Sequence, residues 1–274
     1  MNLFWWKEKH LKTVWRVKKD GRVSLLVGTA HFSPYSFKKA LIKLIQGVET
    51  VLFEGPLDEK SMARVVQCGQ KGENTPSIYE ALDPAVTKEI NKQLSARLST
   101  NTTAGSYLDL IYPRTSDFLE FHTRGVRPWM AFFAIWSAFL NWNHSMDVEA
   151  FHIAQKLRKK IQYLETIEDQ LTALDGIPFE RIVNYLNHIE HWKVHKEVFL
   201  KAFLEGDLQK FLSMTGEFPT RCDSILTKRN PIFFKRMKAF FEKGKTAAFV
   251  GVAHIPGIRK MFLDEGYQVN QEES

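Results

Sequence analysis

"VSLLVGTAHFS" runs from Val23 to Ser33, and "TAAFVGVAHIP" runs from Thr246 to Pro256. Each is an apolar stretch with β-branched content and little polar alternation, the pattern of a strand covered on both faces, as in a parallel sheet. Each then breaks at a histidine followed by a polar or proline-containing turn. Aligned at their glycines, the copies pair Val27 with Val250, Gly28 with Gly251, Ala30 with Ala253 and His31 with His254.

The flanks extend the match. Ser36 is a candidate N-cap for "FKKALIKLIQ", whose Phe37, Leu41, Leu44 and Ile45 recur at helical spacing, and Gly47 ends it. "ETVLFEGP" is then a short strand that stops at Glu54, because Gly55 and Pro56 do not continue a ladder. After the second copy, "IRKMFLDE" reads as helix, Gly266 as terminator and "YQVNQ" as a last strand. The middle, from about residue 57 to about 244, is mostly helical, with "IQYLE" (Ile161 to Glu165) as its one clear strand and Thr166 as the following cap. The expected fold is therefore α/β. A mixed or parallel sheet is built from two βαβ-type repeats at the chain ends, about 22–56 and 245–270, around a large helical insertion, all within one domain spanning 1–274.

Composition narrows the function. At 274 residues the chain is long enough for a sizeable buried core, and its 44% hydrophobic and 25% charged residues are ordinary for a globular protein. The net charge of +7 is spread over interspersed acids and bases, and without a glycine-aromatic or zinc-finger pattern it does not point to nucleic acid. Two cysteines, Cys68 and Cys222, build no disulfide framework. Lysine and glutamate at positions 7 to 9 interrupt any signal-like apolar run at the start, so a cytoplasmic location is expected. "WMAFFAIWSAFLNW" (Trp129 to Trp142) is shorter than the roughly 20 residues of a membrane span, and is expected to be a buried helix, with a membrane-surface or homodimer-interface role as the alternative use of its aromatic rings.

In open parallel sheets ligands bind beyond the carboxyl ends of the strands. His31, His254, Glu54 and Glu165 all fall at such ends. Small residues beside each histidine leave room for a backbone or ligand to approach. Two imidazoles and a carboxylate suit a divalent transition metal, or a metal-free acid-base set in which the carboxylate orients an imidazole.

At these residues the chain resembles the TraB, GumN and TIKI group, which shares a wider clan with ChaN-like and erythromycin-esterase-like proteins. The resemblance spans nearly the whole chain and is greatest to the GumN branch. It rests on "LVGTAHFS", "VLFEGP", "MDVEAFHIAQKLRKKIQYLETIEDQL", "FLEGDLQKFL", "LTKRNPIFFKRM" and "FVGVAHIPGI" in that order. It implies a metal-dependent hydrolase, for the TIKI branch a protease, centred on two GxxH motifs and an acidic residue. Those positions are His31, His254 and Glu54, with Glu165, Arg229 and Asn230 as further polar motif residues.

Other constellations are weaker. His188, His191 and His195 share a helical face whose spacing suits a metal, but there is no HExxH, and a solvated or packed face is the commoner use. Arg114 in "YPRTSDFLEF" is a candidate contact for substrate charge. No phosphate loop or GxSxG elbow occurs. Three functions fit. The first is a hydrolase of peptides with a manganese, cobalt or zinc ion on His31 and His254, in which Glu54 is the catalytic residue that either completes the shell or serves as general base for the bound water. The second is an esterase-like hydrolase of a small molecule that works without metal. The third is a non-catalytic module that binds a peptide or haem.

Overall fold

The structure, a computed structural model, describes residues 10–70, 72, 74–98 and 118–272; Arg114 lies outside them. Strand β1 (Val14–Lys19) turns through Asp20 and Gly21, both at positive φ, into β2 (Arg22–Thr29). Helix α1 (Lys38–Gln46) leads to β3 (Thr50–Phe53). The insertion then supplies α2 (Glu59–Gly69), α3 (Ile78–Ala81), α4 (Pro84–Leu98), α5 (Phe118–Thr123), α6 (Pro128–Leu140) and α7 (Met146–Lys156). It continues through β4 (Lys160–Tyr163), α8 (Ile167–Asp175), α9 (Phe179–Asn187), α10 (Ile189–Glu205) and α11 (Leu208–Met214). Helix α12 (Asn230–Phe241), β5 (Thr246–Gly251), a single 3-10 turn (Val252–His254), α13 (Ile255–Asp264) and β6 (Gln268–Gln271) complete the chain.

The sheet order is β4-β3-β5-β2-β1-β6. Strands β4, β3, β5 and β2 run parallel, while β1 is antiparallel to both its neighbours, so the sheet is mixed. The unit β2-α1-β3 leaves a gap between its strands, and β5 fills it. This brings the two histidine-bearing strands side by side. Their register sets Thr29 opposite Gly251 and Gly28 opposite Val250, one residue off the alignment of the glycines. Strand β6 does not return beside β5; it caps the far edge against β1. The repeat is thus one of local pattern rather than of sheet position.

Alternating side chains explain the layers. Leu26, Leu52, Ala248 and Val250 face α12 and α13, where Phe233, Met237, Ile258 and Phe262 are buried. Val27, Val51, Phe53 and Phe249 face α1, α7 and the α10–α11 pair, and the Phe53 and Phe249 rings stack 5.5 Å apart. A third cluster, formed by α4, α6, α8, α9 and the start of α10 and rich in Trp and Phe, stands apart from the sheet. Helix α6 is the expected buried helix, with Trp129, Phe132, Ile135, Trp136 and Phe139 inside. No helix among the described residues is long and apolar enough to cross a membrane.

Neither α1 nor α12 starts on a side-chain cap. Phe37, not Ser36, is the N-cap of α1 and makes no side-chain cap bond, while the Ser36 hydroxyl accepts from Lys38 N–H at 3.3 Å. Asn230 does not cap α12 either; Arg229 holds that position, and the Asn230 side chain is used elsewhere.

Candidate active site

Strands β2, β5, β3 and β4 end side by side, and the residues that follow them converge. His31 follows β2 by two positions. Its Nδ1–H donates to Asp147 Oδ2 at 2.7 Å, while the Thr29 hydroxyl donates to Asp147 Oδ1 at 2.6 Å. Asp147 reaches this point because the loop after β2 is tied to the start of α7. Ser33 and His144 exchange backbone bonds, and Met146 N–H donates to the Ala30 carbonyl at 3.1 Å. Ser145 caps α7 and sets Asp147 in its first turn, where the helix dipole favours a carboxylate.

His254, in the turn after β5, is held from its other side. Its Nδ1 is 2.7 Å from Asn230 Oδ1, and its Nε2 faces Arg229 Nη1 at 3.4 Å and Glu54 Oε1 at 3.7 Å. Glu54 Oε1 accepts the Gly251 N–H at 2.6 Å and Oε2 accepts Arg229 Nη2 at 2.8 Å. Glu165 takes both Nε (2.9 Å) and Nη2 of the same guanidinium, so Arg229 clasps two carboxylates from adjacent strand ends.

Gly251 is the floor of this assembly. A Cβ there would stand 3.3 Å from Glu54 Oε1, 3.4 Å from His31 Nε2 and 3.7 Å from the His254 ring. The absent side chain is what lets three functional groups meet over one backbone atom. Gly28 has a different use. A Cβ there would press on Ile255 and Val252 at 3.1 and 3.2 Å, so it makes room for the α13 packing and not for a ligand.

The electrostatics sort the groups. Burial pulls the His31 pKa down, but Asp147, then Glu54, outweigh it and raise the group to about 9. Its ring is nonetheless reachable, with 59% of the side chain open to the concave pocket that it borders. Burial pushes Glu54 up, and His254 when charged, then Arg229, His31 and the Gly251 N–H, pull it below the usual carboxylate range. Burial also lowers His254 to about 3, so that ring is neutral at neutral pH and Arg229 is the permanent charge that keeps Glu54 ionised. Glu165 is raised by its burial, against the opposing pull of Arg229.

His31, His254, Glu54, Glu165, Arg229 and Asn230 therefore meet in one place. Asp147 is the residue that the sequence reading misses. Its only signal is an acid in the first turn of a helix, which dipole complementarity explains equally well. The histidine stripe on α10 does not join the site as a ligand set: His188 Nδ1 bonds the Asn184 carbonyl, and His195 stacks on Tyr185 with its Nδ1 on the phenol oxygen.

The donor chemistry bears on a metal in two ways. Each site imidazole has its Nδ1 held by an oxygen acceptor and its Nε2 turned inward, the arrangement in which outer partners orient metal-binding histidines. Against this, no three His, Cys, Asp or Glu side chains among the described residues already form a ligand cluster, and the Arg229 guanidinium stands beside His254 Nε2. The residues fit a divalent ion in kind, two imidazoles and a carboxylate around Gly251.

Comparison with known families gives one match: the TraB/PrgY/gumN family, over residues 13–271. No curated protein matches the chain.

Proposed function

Since the chain belongs to the TraB/PrgY/gumN family, we propose that its strand-end site is that of a metal-dependent hydrolase acting on peptides. The observation that carries this reading is the meeting of His31 Nε2, Glu54 Oε1 and His254 above Gly251. His31 Nε2, His254 Nε2 and Glu54 Oε1 would hold the ion, with manganese, cobalt and zinc as candidates. When bound, such an ion acidifies water and polarises a carbonyl.

The chain's own residues have definite tasks around that centre. Asp147 fixes the proton on His31 Nδ1 and so presents the Nε2 lone pair inward once the ring is neutral. Asn230 does the same for His254. Arg229 keeps Glu54 ionised and stops it from swinging away, since its other oxygen is tied to the Gly251 N–H. A carboxylate that Arg229 holds below its usual range is a weak proton acceptor at neutral pH, so Glu54 serves better as a ligand than as a general base.

A second reading keeps the site without metal, as an acid-base pair of His31 and Glu54 in an esterase-like hydrolase. The specific observation in its favour is the Arg229 clasp, which already neutralises carboxylate charge at the site. The test is cleavage of an unbiased peptide library with added Mn²⁺, Co²⁺ or Zn²⁺, with simple esters in parallel. Peptide cleavage should be abolished by chelator, and Glu54→Gln should lose metal and activity together. Ester cleavage indifferent to chelator would favour the second reading. Tight binding of a peptide or haem with no turnover would leave only the non-catalytic module.

A further inference from the structure

The pocket in front of His31 and His254 continues away from them. Its walls include Phe133, Trp136, Trp142, Phe199 and Phe218, and Arg221 borders it together with Thr215. The cavity measures about 170 Å³. That volume covers the whole pocket, the groups around Gly251 included, and is close to that of an apolar cavity, about 150 Å³, that admits one benzene, so a phenyl-sized group fits within it.

Arg221 is the unusual wall residue. Its Nη2 donates to Thr215 Oγ1 at 3.1 Å and its guanidinium lies 4.3 Å over the Phe211 ring. Nε and Nη1 are shut away from solvent and have no hydrogen-bond partner among the described residues. No carboxylate pairs with it among the described residues, in contrast to Arg229, which holds two. A half-buried cation with two enclosed nitrogens and neither counter-charge nor full hydrogen bonding among the described residues is costly, and proteins normally pair such groups. Its pKa is lowered by burial to about 10, which still leaves it charged at neutral pH. It lies close enough to His254 for its charge to contribute to that ring's depression.

We propose that Arg221 is the anion-binding end of the substrate pocket, and that the substrate is a peptide ending in a bulky apolar residue. The side chain lies among the aromatic walls and the terminal carboxylate lies on Arg221. The proposal rests on the hydrolase reading and assigns it an exopeptidase specificity at the C-terminus. To meet the carboxylate the guanidinium turns toward the cavity that it borders, exchanging the Thr215 bond and its place over the Phe211 ring for bonds to the ligand. A planar carboxylate is the partner that a guanidinium binds through two parallel bonds.

Binding is measured by calorimetry with 3-phenylpropanoate and its amide, two probes that contain no internal peptide bond to cleave. The carboxylate should bind roughly 10- to 100-fold more tightly than the amide, as expected for a charge-assisted bond gained in a buried site. Arg221→Gln should bring the two probes to parity, and Arg221→Lys should restore part of the preference. Arg221→Gln should also melt close to wild type, because the half-buried, unpaired charge it removes offsets the lost Thr215 bond and Phe211 contact. Equal binding of both probes to wild type, or a preference that survives Arg221→Gln, overturns the proposal. Peptide cleavage separates it from the hydrolase reading. Equal cleavage of free and C-terminally amidated peptides would leave the hydrolase standing and remove this specificity. A carboxylate preference without any turnover would do the reverse, keeping the anion site and removing the hydrolase.

Discussion

Asp147 decides how His31 can act. With Oδ2 on Nδ1 and Oδ1 on the Thr29 hydroxyl, its carboxylate is fully used, buried, and fixed by the first turn of α7. The imidazole therefore cannot flip without breaking a charge-assisted bond, and its Nε2 is committed to the pocket. Asp147→Asn keeps the shape but replaces one acceptor oxygen with a donor, so that the Thr29 hydroxyl and the ring compete for the oxygen that remains. Outer partners of this kind typically contribute 10- to 100-fold in metal affinity or activity, and the variant should lose roughly that much. Metal titration and kcat/KM, measured together with a melting curve, would show it. An Asp147→Asn protein with unchanged metal affinity and turnover would reduce the carboxylate to a helix-terminus charge. Arg221, like Asp147, carries no pattern in the sequence. Its significance comes from missing partners, and only the packed structure shows which groups lack them.

At the scale of elements, β5 both completes the sheet and forms the site. Gly251 has φ −50 and ψ 132, a conformation open to any residue, so its glycine is required by space and not by the backbone. Gly251→Ala should therefore fold with a stability change within about 1 kcal/mol. The added methyl would enter the gap between Glu54 Oε1 and His31 Nε2, a displacement of the kind that costs on the order of 10²-fold in activity. Activity and thermal unfolding on the same preparation distinguish this from a folding defect; retained activity would show that the catalytic groups meet elsewhere. The sheet-forming runs β2, β3 and β5 are legible in the sequence because strands buried on both faces cannot alternate with polar residues. Strand β1 is not in that reading, although "KKDGRV" carries its signal: Asp20-Gly21 is a hairpin turn with both residues at positive φ. Missing it hides the antiparallel edge and the partner of β6. Register is also beyond pattern reading. Aligned glycines suggest Gly28 opposite Gly251, but only inter-strand packing reveals that Thr29 takes that place.

At the scale of the molecule, the site joins parts of the chain that are far apart in sequence. His31 follows the second strand, Glu54 the third, and His254 the fifth, and Arg229 reaches in from the start of α12. An ion on His31, Glu54 and His254 would bind the native arrangement and have no equivalent site in the unfolded chain. Such a ligand stabilises by mass action, by about 2.7 kcal/mol when free ion stands at a hundred times Kd. For a chain of this size each kcal/mol is worth about 2–4 °C, so Mn²⁺, Co²⁺ or Zn²⁺ should raise the melting temperature by roughly 5–10 °C. Chelator should reverse the shift. His31→Ala and His254→Ala should each abolish the shift, read against each variant's own ion-free melting temperature, since His31 gives up its bond to buried Asp147 and buried His254 its bond to Asn230 and its packing on Phe233. Shifts of equal size in wild type and both variants would place the ion elsewhere, with the His188, His191 and His195 face of α10 first to be examined, and would leave the metal-free acid-base reading in possession of the strand-end site.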